Sequence, residues 1–195
     1  MNYLAHIYLS GSNPKMQLGG FIADFVKGSN WQHYPKEIRN GILLHRQIDS
    51  YFDQHKLVGE LLDMLRPIFG RYNGIVLDMY FDYFLANEFK KFSKTNLLLF
   101  SLKFYITCLR NYGYLPDKVK YFIFHFIATN RLYAYRSTNG LRKSLEIMQK
   151  YKMHALNPQD CIHFLSNHTD FLNSKFELIL NNVIAFSLST THKNE

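Results

Sequence analysis

The chain has 195 residues, of which 47% are apolar and 16% aromatic, while glycine and proline contribute only 10 and 5 residues. This composition excludes an intrinsically disordered or collagen-like chain, and the length favours a single domain over residues 1–195. Basic residues outnumber acidic residues by 23 to 15, and the excess lies in residues 86–152, which hold 13 basic and 3 acidic side chains. Such a block predicts an acidic partner, either nucleic acid, a phosphorylated ligand or an acidic protein, unless it is only a solvated helix surface.

Apolar residues recur at helical spacing through most of the chain, and no alternating strand pattern competes with them. The first helix is predicted over residues 16–27, after a turn-like segment at residues 11–14 and before the terminating Gly28. Further helices are predicted over residues 36–65 with a bend near Gly59, then over 75–92, 97–111, 117–135, 141–151 and 159–187. The predicted fold class is therefore all-α, an irregular single-domain helical bundle.

Cys108 and Cys161 lie far apart in apolar segments and form neither a disulfide framework nor a metal-binding CxxC pair. We expect both to be buried thiols in a reducing compartment. The segment that begins at Met1 lacks the basic start and long apolar run of a signal peptide, and Lys103 interrupts the longest apolar stretch. These features predict a cytoplasmic protein without a membrane partner.

Ionisable residues within apolar helix faces are the unusual feature of the first 85 residues. His45, Asp49 and Asp53 follow one another at a spacing of four, so they lie along one side of the predicted helix and can present an imidazole and carboxylates to one ion. Asp78 and Asp82 repeat this spacing in an otherwise aromatic and aliphatic stretch. Burial of such carboxylates is costly without a cation or hydrogen bonds, so the pair favours a metal ion or an arginine between them.

Asp24 and His6 are placed in the same way, each inside an apolar segment. A mixed set of imidazoles and carboxylates suits Mn, Fe, Mg or Zn better than a thiol-preferring ion. Structural interpretations stay open at this point: His6 as a hydrogen-bonded core histidine, Asp49 as the surface partner of Arg46, and Asp53 as a solvent-facing carboxylate.

Four segments resemble the acyl carrier protein phosphodiesterases, also called ACP hydrolases, which are assigned to the wider HD-type metal phosphohydrolases. The segments are MNYLAH (residues 1–6), GFIADFVKG (20–28), GILLHRQID (41–49) and GIVLDMYFDYFL (74–85). Their order and spacing agree with the family, and LYAYR (132–136) resembles its later Tyr-Arg element. Beyond about residue 153 the resemblance is in length and helical character. No adjacent His-Asp pair is present, and Tyr83 stands where relatives often have histidine.

The resemblance implies an HD-domain-like fold and hydrolysis of the phosphodiester that joins 4'-phosphopantetheine to a serine of holo acyl carrier protein, with Mn(II) as the expected divalent metal. On this basis the expected metal ligands are His6, Asp24, His45, Asp49 and Asp78. The expected catalytic residues are Asp24, Asp82 and Arg46. The expected substrate-binding residues are Lys27 and Arg46 for the phosphate, and Lys90, Lys91, Lys94 and Arg136 for the rest of the acidic carrier protein.

Two other functions also fit the residues. An HD-type phosphohydrolase that acts on a nucleotide or another small phosphodiester would share the site but would not need the basic middle segment. A noncatalytic helical binding module, for protein or nucleic acid, would keep the acidic residues as buried polar structure and would bind no metal. With the carrier protein as substrate, no nucleic acid partner is expected.

Overall fold

Helices account for the regular structure of the protein in a computed structural model that describes residues 1–151 and 153–192. In chain order, the α-helices of this part of the chain are α1 (Tyr3–Leu9), α2 (Pro14–Ile22), α3 (Lys36–Asp53), α4 (Lys56–Phe69), α5 (Asn73–Asn87), α6 (Phe89–Phe92), α7 (Leu97–Arg110), α8 (Asp117–Ala128), α9 (Arg131–Ala134), α10 (Thr138–Tyr151), α11 (Pro158–Asn167) and α12 (Thr169–His192). Short 3-10 helices lie at Ala23–Phe25, Asn30–His33, Gly70–Tyr72 and Tyr112–Tyr114. The all-α prediction is confirmed, whereas the HD-type assignment and the single-domain boundary stay predictions.

Several boundaries in the first half differ from the prediction. The helix predicted over residues 16–27 begins at Pro14 and ends at Ile22, where the 3-10 helix Ala23–Phe25 follows. Helix α1 was not predicted, because its seven residues are almost all buried and leave no polar face to reveal a period. The long helix predicted over residues 36–65 is two helices, since the Nδ1 atom of His55 accepts a hydrogen bond from the Leu57 amide at 3.2 Å and starts α4. The predicted bend near Gly59 is therefore wrong by a few residues.

Several later boundaries also differ. The helix predicted over residues 159–187 is interrupted at His168, which separates α11 from α12. The helix predicted over residues 117–135 is divided into α8 and α9 by Asn130, whose φ of 42° lies in the left-handed region and cannot continue a helix. The helix predicted over residues 75–92 is likewise divided, and Glu88 separates α5 from α6. By contrast, α7 ends within one residue of its predicted limit.

The interior is filled mainly by aromatic side chains. Phe21 of α2 packs against Phe104 of α7 and Phe126 of α8, with ring centroids 5.2 and 5.4 Å apart.

Cys108 and Cys161 are buried free thiols, as predicted, and burial raises the pKa of both thiols above the ordinary value. The thiols are therefore structural and unreactive.

Helices α2 and α3 cross at backbone contact distance, and this crossing positions the candidate site. A Cβ atom at Gly19 would overlap the carbonyl oxygen of Ile38, and one at Gly41 would overlap the carbonyl oxygen of Met16. Only glycine fits at both positions because any side chain would push the two backbones apart. The close crossing brings the C-terminal half of α2 against His45 of α3.

None of the helices in the described ranges combines the length and the apolar character needed to cross a membrane.

Candidate metal centre

Three of the predicted metal ligands meet at one point. His6 of α1 and His45 of α3 stack their imidazole rings with centroids 3.6 Å apart. Asp49, one turn after His45, places Oδ1 3.0 Å from His6 Nε2 and Oδ2 3.0 Å from His45 Nε2. Each of the three residues can offer one ligand atom, and these atoms all lie within 4.8 Å of one another. The arrangement can enclose a single ion.

The orientation of His45 is fixed by the backbone of α2. Its Nδ1 atom lies 2.8 Å from the carbonyl oxygen of Gly20, which can only accept, so Nδ1 carries the proton in the neutral ring. The lone pair of Nε2 then points at two carboxylates, Asp49 Oδ2 at 3.0 Å and Asp24 Oδ1 at 3.4 Å. A cation between these atoms would turn three mutually repelling acceptors into a ligand set.

The buried atoms of this cluster lack the partners that buried polar groups normally have. His6 Nδ1, His45 Nε2 and Asp49 Oδ1 form no hydrogen bond with any residue that the structure describes. Such atoms are costly unless an ion or a proton satisfies them. The residues therefore fit a divalent cation, and the imidazole and carboxylate donors suit Mn, Fe, Mg or Zn.

The pKa values of the two histidines reflect the same need for positive charge. Burial opposes charge on His45, but its contacts with Asp24 and Asp49 outweigh burial and raise its pKa to about 9. Burial and the neighbouring His45 lower the pKa of His6 to about 4, so His6 stays neutral at pH 7. Without a metal, a proton on His45 satisfies part of the cluster, and a metal would have to displace it.

Both carboxylates next to His45 are ionised at neutral pH. Burial alone would raise the pKa of Asp49, but its contacts with His45 and His6 hold it far below its usual value. The close contact with His45 lowers the pKa of Asp24, whose side chain is 64% exposed. Asp24 therefore stands at the solvent side of the cluster, while the two histidines are buried.

Asp78 reaches the cluster through the amino group of Met1. Its Oδ1 atom lies 3.1 Å from the Met1 nitrogen, which is 3.6 Å from Asp49 Oδ1. Burial raises the pKa of Asp78, although the Met1 ammonium lowers it in part. Of the five predicted ligands, the structure thus brings three together, places Asp24 beside them and holds Asp78 one contact away.

Asp82, predicted as a catalytic residue, occupies a different place. It is fully buried, its Oδ2 atom accepts a hydrogen bond from the Leu4 amide at 2.9 Å, and its Oδ1 atom accepts one from the Ala5 amide at 3.0 Å. Burial raises its pKa to about 7, although both amides favour the carboxylate. Asp82 therefore caps the first turn of α1, the helix that carries His6, and both of its oxygens are occupied.

Arg46, predicted to bind phosphate and to act in catalysis, is turned towards a backbone loop. Its guanidinium donates hydrogen bonds to the carbonyl oxygens of Val26, at 2.8 Å, and Gly28, at 3.1 Å. These bonds hold the loop that follows Asp24 against α3. Lys27, in the same loop, is exposed.

The residues predicted to bind the carrier protein lie on the surface. Lys90 and Lys94 are exposed, whereas Lys91 forms ion pairs with Glu88, at 3.1 Å, and Glu177, at 2.9 Å. Arg136 is exposed and donates a short hydrogen bond to the hydroxyl of Tyr133. That these residues bind the carrier protein therefore stays a prediction.

A cavity of about 240 Å³ opens beside the metal centre. Its lining includes four carboxylates, those of Asp24, Asp49, Asp53 and Asp78. Apolar residues also contribute to the lining, of which Phe52, Val58 and Leu77 are almost fully buried and Leu62 is partly buried. The centre is thus connected to a space that a substrate could enter.

Two contributors to the site were not predicted: the carbonyl oxygen of Gly20, which orients His45, and the Met1 amino group. Main-chain groups give no sequence pattern of their own. The pair Gly19-Gly20 together with Gly41 was the available signal, because glycines at helix interiors indicate close backbone approach.

One protein family and several curated proteins have sequences similar to this chain. The family described as acyl carrier protein phosphodiesterase matches residues 1–183. A protein of that name from Yersinia pestis is 39% identical over 88 residues, which is 45% of this chain and 46% of the relative. One from Enterobacter sp. (strain 638) is 37% identical over 93 residues, 48% of each chain. The matched region therefore spans about half the length of these curated relatives, and no solved structure matches the chain.

Proposed function

This chain belongs to the acyl carrier protein phosphodiesterase family, and we propose that it is a metal-dependent hydrolase that releases 4'-phosphopantetheine from holo acyl carrier protein. The observation that supports the metal dependence is the convergence of His6, His45 and Asp49, in which three buried atoms, His6 Nδ1, His45 Nε2 and Asp49 Oδ1, lack a hydrogen bond within the described residues. The relatives from Yersinia pestis and Enterobacter sp. are acyl carrier protein phosphodiesterases by name, which supports holo acyl carrier protein as the substrate.

The residues of the site have distinct parts in this reaction. His6, His45 and Asp49 would hold the ion, and Mn(II) remains the metal that we expect. A bound divalent ion supplies acidification of water towards neutral pH and compensation of phosphate charge. The Gly20 carbonyl keeps the lone pair of His45 Nε2 directed at the ion position.

Asp24 is the carboxylate best placed to orient the attacking water. It lies at the exposed edge of the cluster, 3.4 Å from His45 Nε2, and its lowered pKa keeps it ionised. An ionised carboxylate accepts hydrogen bonds from water but cannot donate a proton to the departing serine oxygen. Asp24 therefore acts on the nucleophile and not on the leaving group.

The lining of the cavity favours the carrier protein over a nucleotide. Its four carboxylates would repel the additional phosphates of a nucleoside diphosphate or triphosphate. A holo carrier protein brings a single phosphodiester charge to the ion and a prosthetic arm that is neutral. This contrast supports the proposed substrate over the small-phosphodiester rival when the rival is a nucleotide.

The test combines metal analysis with a mass measurement. Purified protein, stripped with a chelator and reloaded with Mn(II), is incubated with holo carrier protein and separately with a panel of nucleotides. We expect a mass loss equal to 4'-phosphopantetheine in the carrier protein, only with metal, and slower or no release of phosphate from nucleotides. Hydrolysis of nucleotides alone would replace the proposed substrate, and a protein that binds no divalent metal would contradict the mechanism.

A further inference from the structure

The outward side of α7 is apolar although it faces solvent. Its exposed apolar residues recur three or four positions apart, so they form one continuous strip along the helix, and each is between 41% and 49% exposed. The strip consists of Leu98, Leu99, Leu102, Ile106 and Leu109. Single exposed leucines are normal on protein surfaces, but a strip of five on one helix marks an interaction surface.

The inward side of α7 is apolar as well. Phe104 and Cys108 are fully buried, and the ring of Phe104 packs against Phe21 of α2. Helix α7 is therefore apolar around most of its circumference, which is typical of a helix that is covered on all sides. Since the described part of the chain covers the inward side alone, we expect a further apolar surrounding against the strip.

Aromatic side chains extend this surface to α8. Tyr112, three residues after Leu109, packs its ring against that of Phe124, with centroids 5.6 Å apart. Tyr121, one turn before Phe124, is 89% exposed, and Phe124 is exposed as well. Tyrosine and phenylalanine beside aliphatic residues are typical of side chains that lie at a membrane–water interface. We call the strip together with these three rings the α7–α8 surface.

Positive charge borders the α7–α8 surface. Lys103 lies one turn after Leu99, and Arg110 lies one turn after Ile106, so both exposed cations stand at the same edge of the strip. Lys118, in the first turn of α8, is also exposed. An apolar helix face with cations along its edge is the pattern of a helix that lies in the surface of an anionic membrane.

Charge and shape also distinguish between the possible occupants of this surface. Asp117 is the one acidic residue between positions 89 and 145, and its carboxylate lies 3.4 Å from the ammonium of Lys120. A second copy that paired through the same surface would bring the same cations and only this carboxylate, which is already paired. The outward side of a helix is convex, so a fluid lipid surface can follow its shape, whereas a folded acidic protein would need a matching groove.

We propose that the α7–α8 surface attaches the protein peripherally to an anionic phospholipid membrane, with the strip in the headgroup region and the bordering cations against lipid phosphates. The cavity at the metal centre is lined by residues before position 79, so attachment uses none of the residues of that site. The expectation of no membrane partner came from the lack of a signal peptide and of a long apolar stretch, and peripheral attachment requires neither.

The test measures binding of the full chain to vesicles by cosedimentation. The vesicles contain either an equimolar mixture of phosphatidylglycerol and phosphatidylcholine or phosphatidylcholine alone. One variant combines Leu102→Ser with Ile106→Ser and makes the strip polar. A second variant combines Lys103→Glu with Arg110→Glu and reverses the charge at its edge.

The matched control changes the same kind of residue on other helices. It combines Ile68→Ser of α4 with Leu178→Ser of α12, which are 54% and 55% exposed. Urea denaturation in the absence of vesicles checks that each variant is folded. If the serine variant does not fold, the charge reversal decides, because it leaves the apolar residues in place.

We expect the unmodified protein to bind the anionic vesicles and both variants to bind them more weakly by about tenfold or more. The serine variant loses apolar area that enters the lipid, and the charge reversal loses attraction to lipid phosphates. The control should stay within about twofold. Added salt should weaken binding of the unmodified protein and have little effect on the charge-reversed variant.

Failure of the unmodified protein to bind the anionic vesicles would overturn the proposal, and equal binding by all variants would place the membrane contact elsewhere. Light scattering and KM for holo carrier protein identify the other occupants. A dimer that the serine variant converts to a monomer, without vesicle binding, would assign the surface to a second copy. A raised KM in the serine variant, again without vesicle binding, would assign it to the carrier protein.

Discussion

His6 and His45 stack face to face with 21° between their ring planes, and Asp49 contacts one ring with each of its two oxygens. Burial, and in second place the repulsion between two protonated rings, keeps His6 neutral, while His45 binds the proton because of its contacts with Asp24 and Asp49. The two rings together therefore accept only one proton. A divalent ion bound between them would supply positive charge to both rings.

Removal of either α3 ligand should remove the metal. We expect His45→Ala and Asp49→Ala to lower Mn(II) affinity by about 100-fold or more. Mutation of a residue that only hydrogen-bonds to a metal ligand typically lowers affinity by about 10- to 100-fold, and loss of the ligand itself should cost at least as much. Calorimetry with the chelator-stripped protein measures this, and His163→Ala, an exposed histidine of α11, is the control. Full metal content in both α3 variants would exclude the site as described.

The glycines at the α2–α3 crossing should not tolerate a methyl group. We expect Gly19→Ala and Gly41→Ala each to reduce the free energy of unfolding by about 1–3 kcal/mol or more, since the added Cβ overlaps a carbonyl oxygen. Urea denaturation measures the change. Gly59→Ala is the control, because nothing lies within 4 Å of its Cβ position and alanine favours a helix interior by roughly 0.5–1 kcal/mol. A neutral effect at Gly19 would mean that the helices can separate without cost.

Replacement of Asp82 should affect stability before chemistry. In Asp82→Ala, the amides of Leu4 and Ala5 lose their acceptors, which should cost about 1–3 kcal/mol of unfolding free energy. Turnover should decline only as far as α1, with His6, becomes displaced. Asp82→Asn retains one acceptor oxygen, so its free energy of unfolding should lie between those of the unmodified protein and Asp82→Ala. Unchanged urea denaturation together with lost turnover would instead support the direct catalytic role that the sequence predicts.

The metal-free protein should lose stability as the pH rises from 6.5 to 9. His45 has an ordinary pKa of 6.5 in the unfolded chain and about 9 in the folded protein, so across this interval the folded state holds a proton that the unfolded state has released. The stabilisation is complete below pH 6.5 and is lost as the pH passes through 9, with an upper limit of about 3 kcal/mol. Urea denaturation at several pH values, with His45→Gln as the reference, isolates this contribution. Parallel curves for the two proteins would contradict it.

The exposed residues Lys90, in α6, and Lys94, just after α6, provide the test of carrier protein docking. Lys90→Glu combined with Lys94→Glu should raise KM for holo carrier protein and weaken its dependence on salt, since charge attraction acts mainly on association. Lys91 is left unchanged because Glu88 and Glu177 already pair with it. The turnover of methyl 4-nitrophenyl phosphate is the control. A KM that is insensitive to both the reversal and salt would exclude this patch.

The parts of the site that could be predicted are those with a local pattern. The spacing of His45 and Asp49 on a periodic helix indicates a shared face, and the structure brings both to His6. Asp82 has the same spacing from Asp78, but its partners are amides near residue 4, and no pattern within α5 reveals a contact so distant in the chain. The target of Arg46 is a pair of carbonyl oxygens, which every residue possesses, so the sequence could only indicate a cation near the site.

The ends of the helices were likewise predictable where a local pattern marks them and not where a distant or side-chain contact does. Helix α7 has strong apolar periodicity and was predicted almost to its last residue. Helix α1 is too short and too buried to show a period, and the break before α4 depends on a side-chain cap by His55 that competes with an otherwise continuous helical pattern.

The cap that Asp82 places on α1 also sets an order of assembly during synthesis. Helix α1 is translated long before α5, yet its first turn has no side-chain cap from its own flanking residue Asn2 and depends on a carboxylate near residue 82. A seven-residue helix is not stable alone in water. The cap on the helix that carries His6 can therefore form only after α5 has left the ribosome, so the metal centre is completed by contacts of high sequence separation.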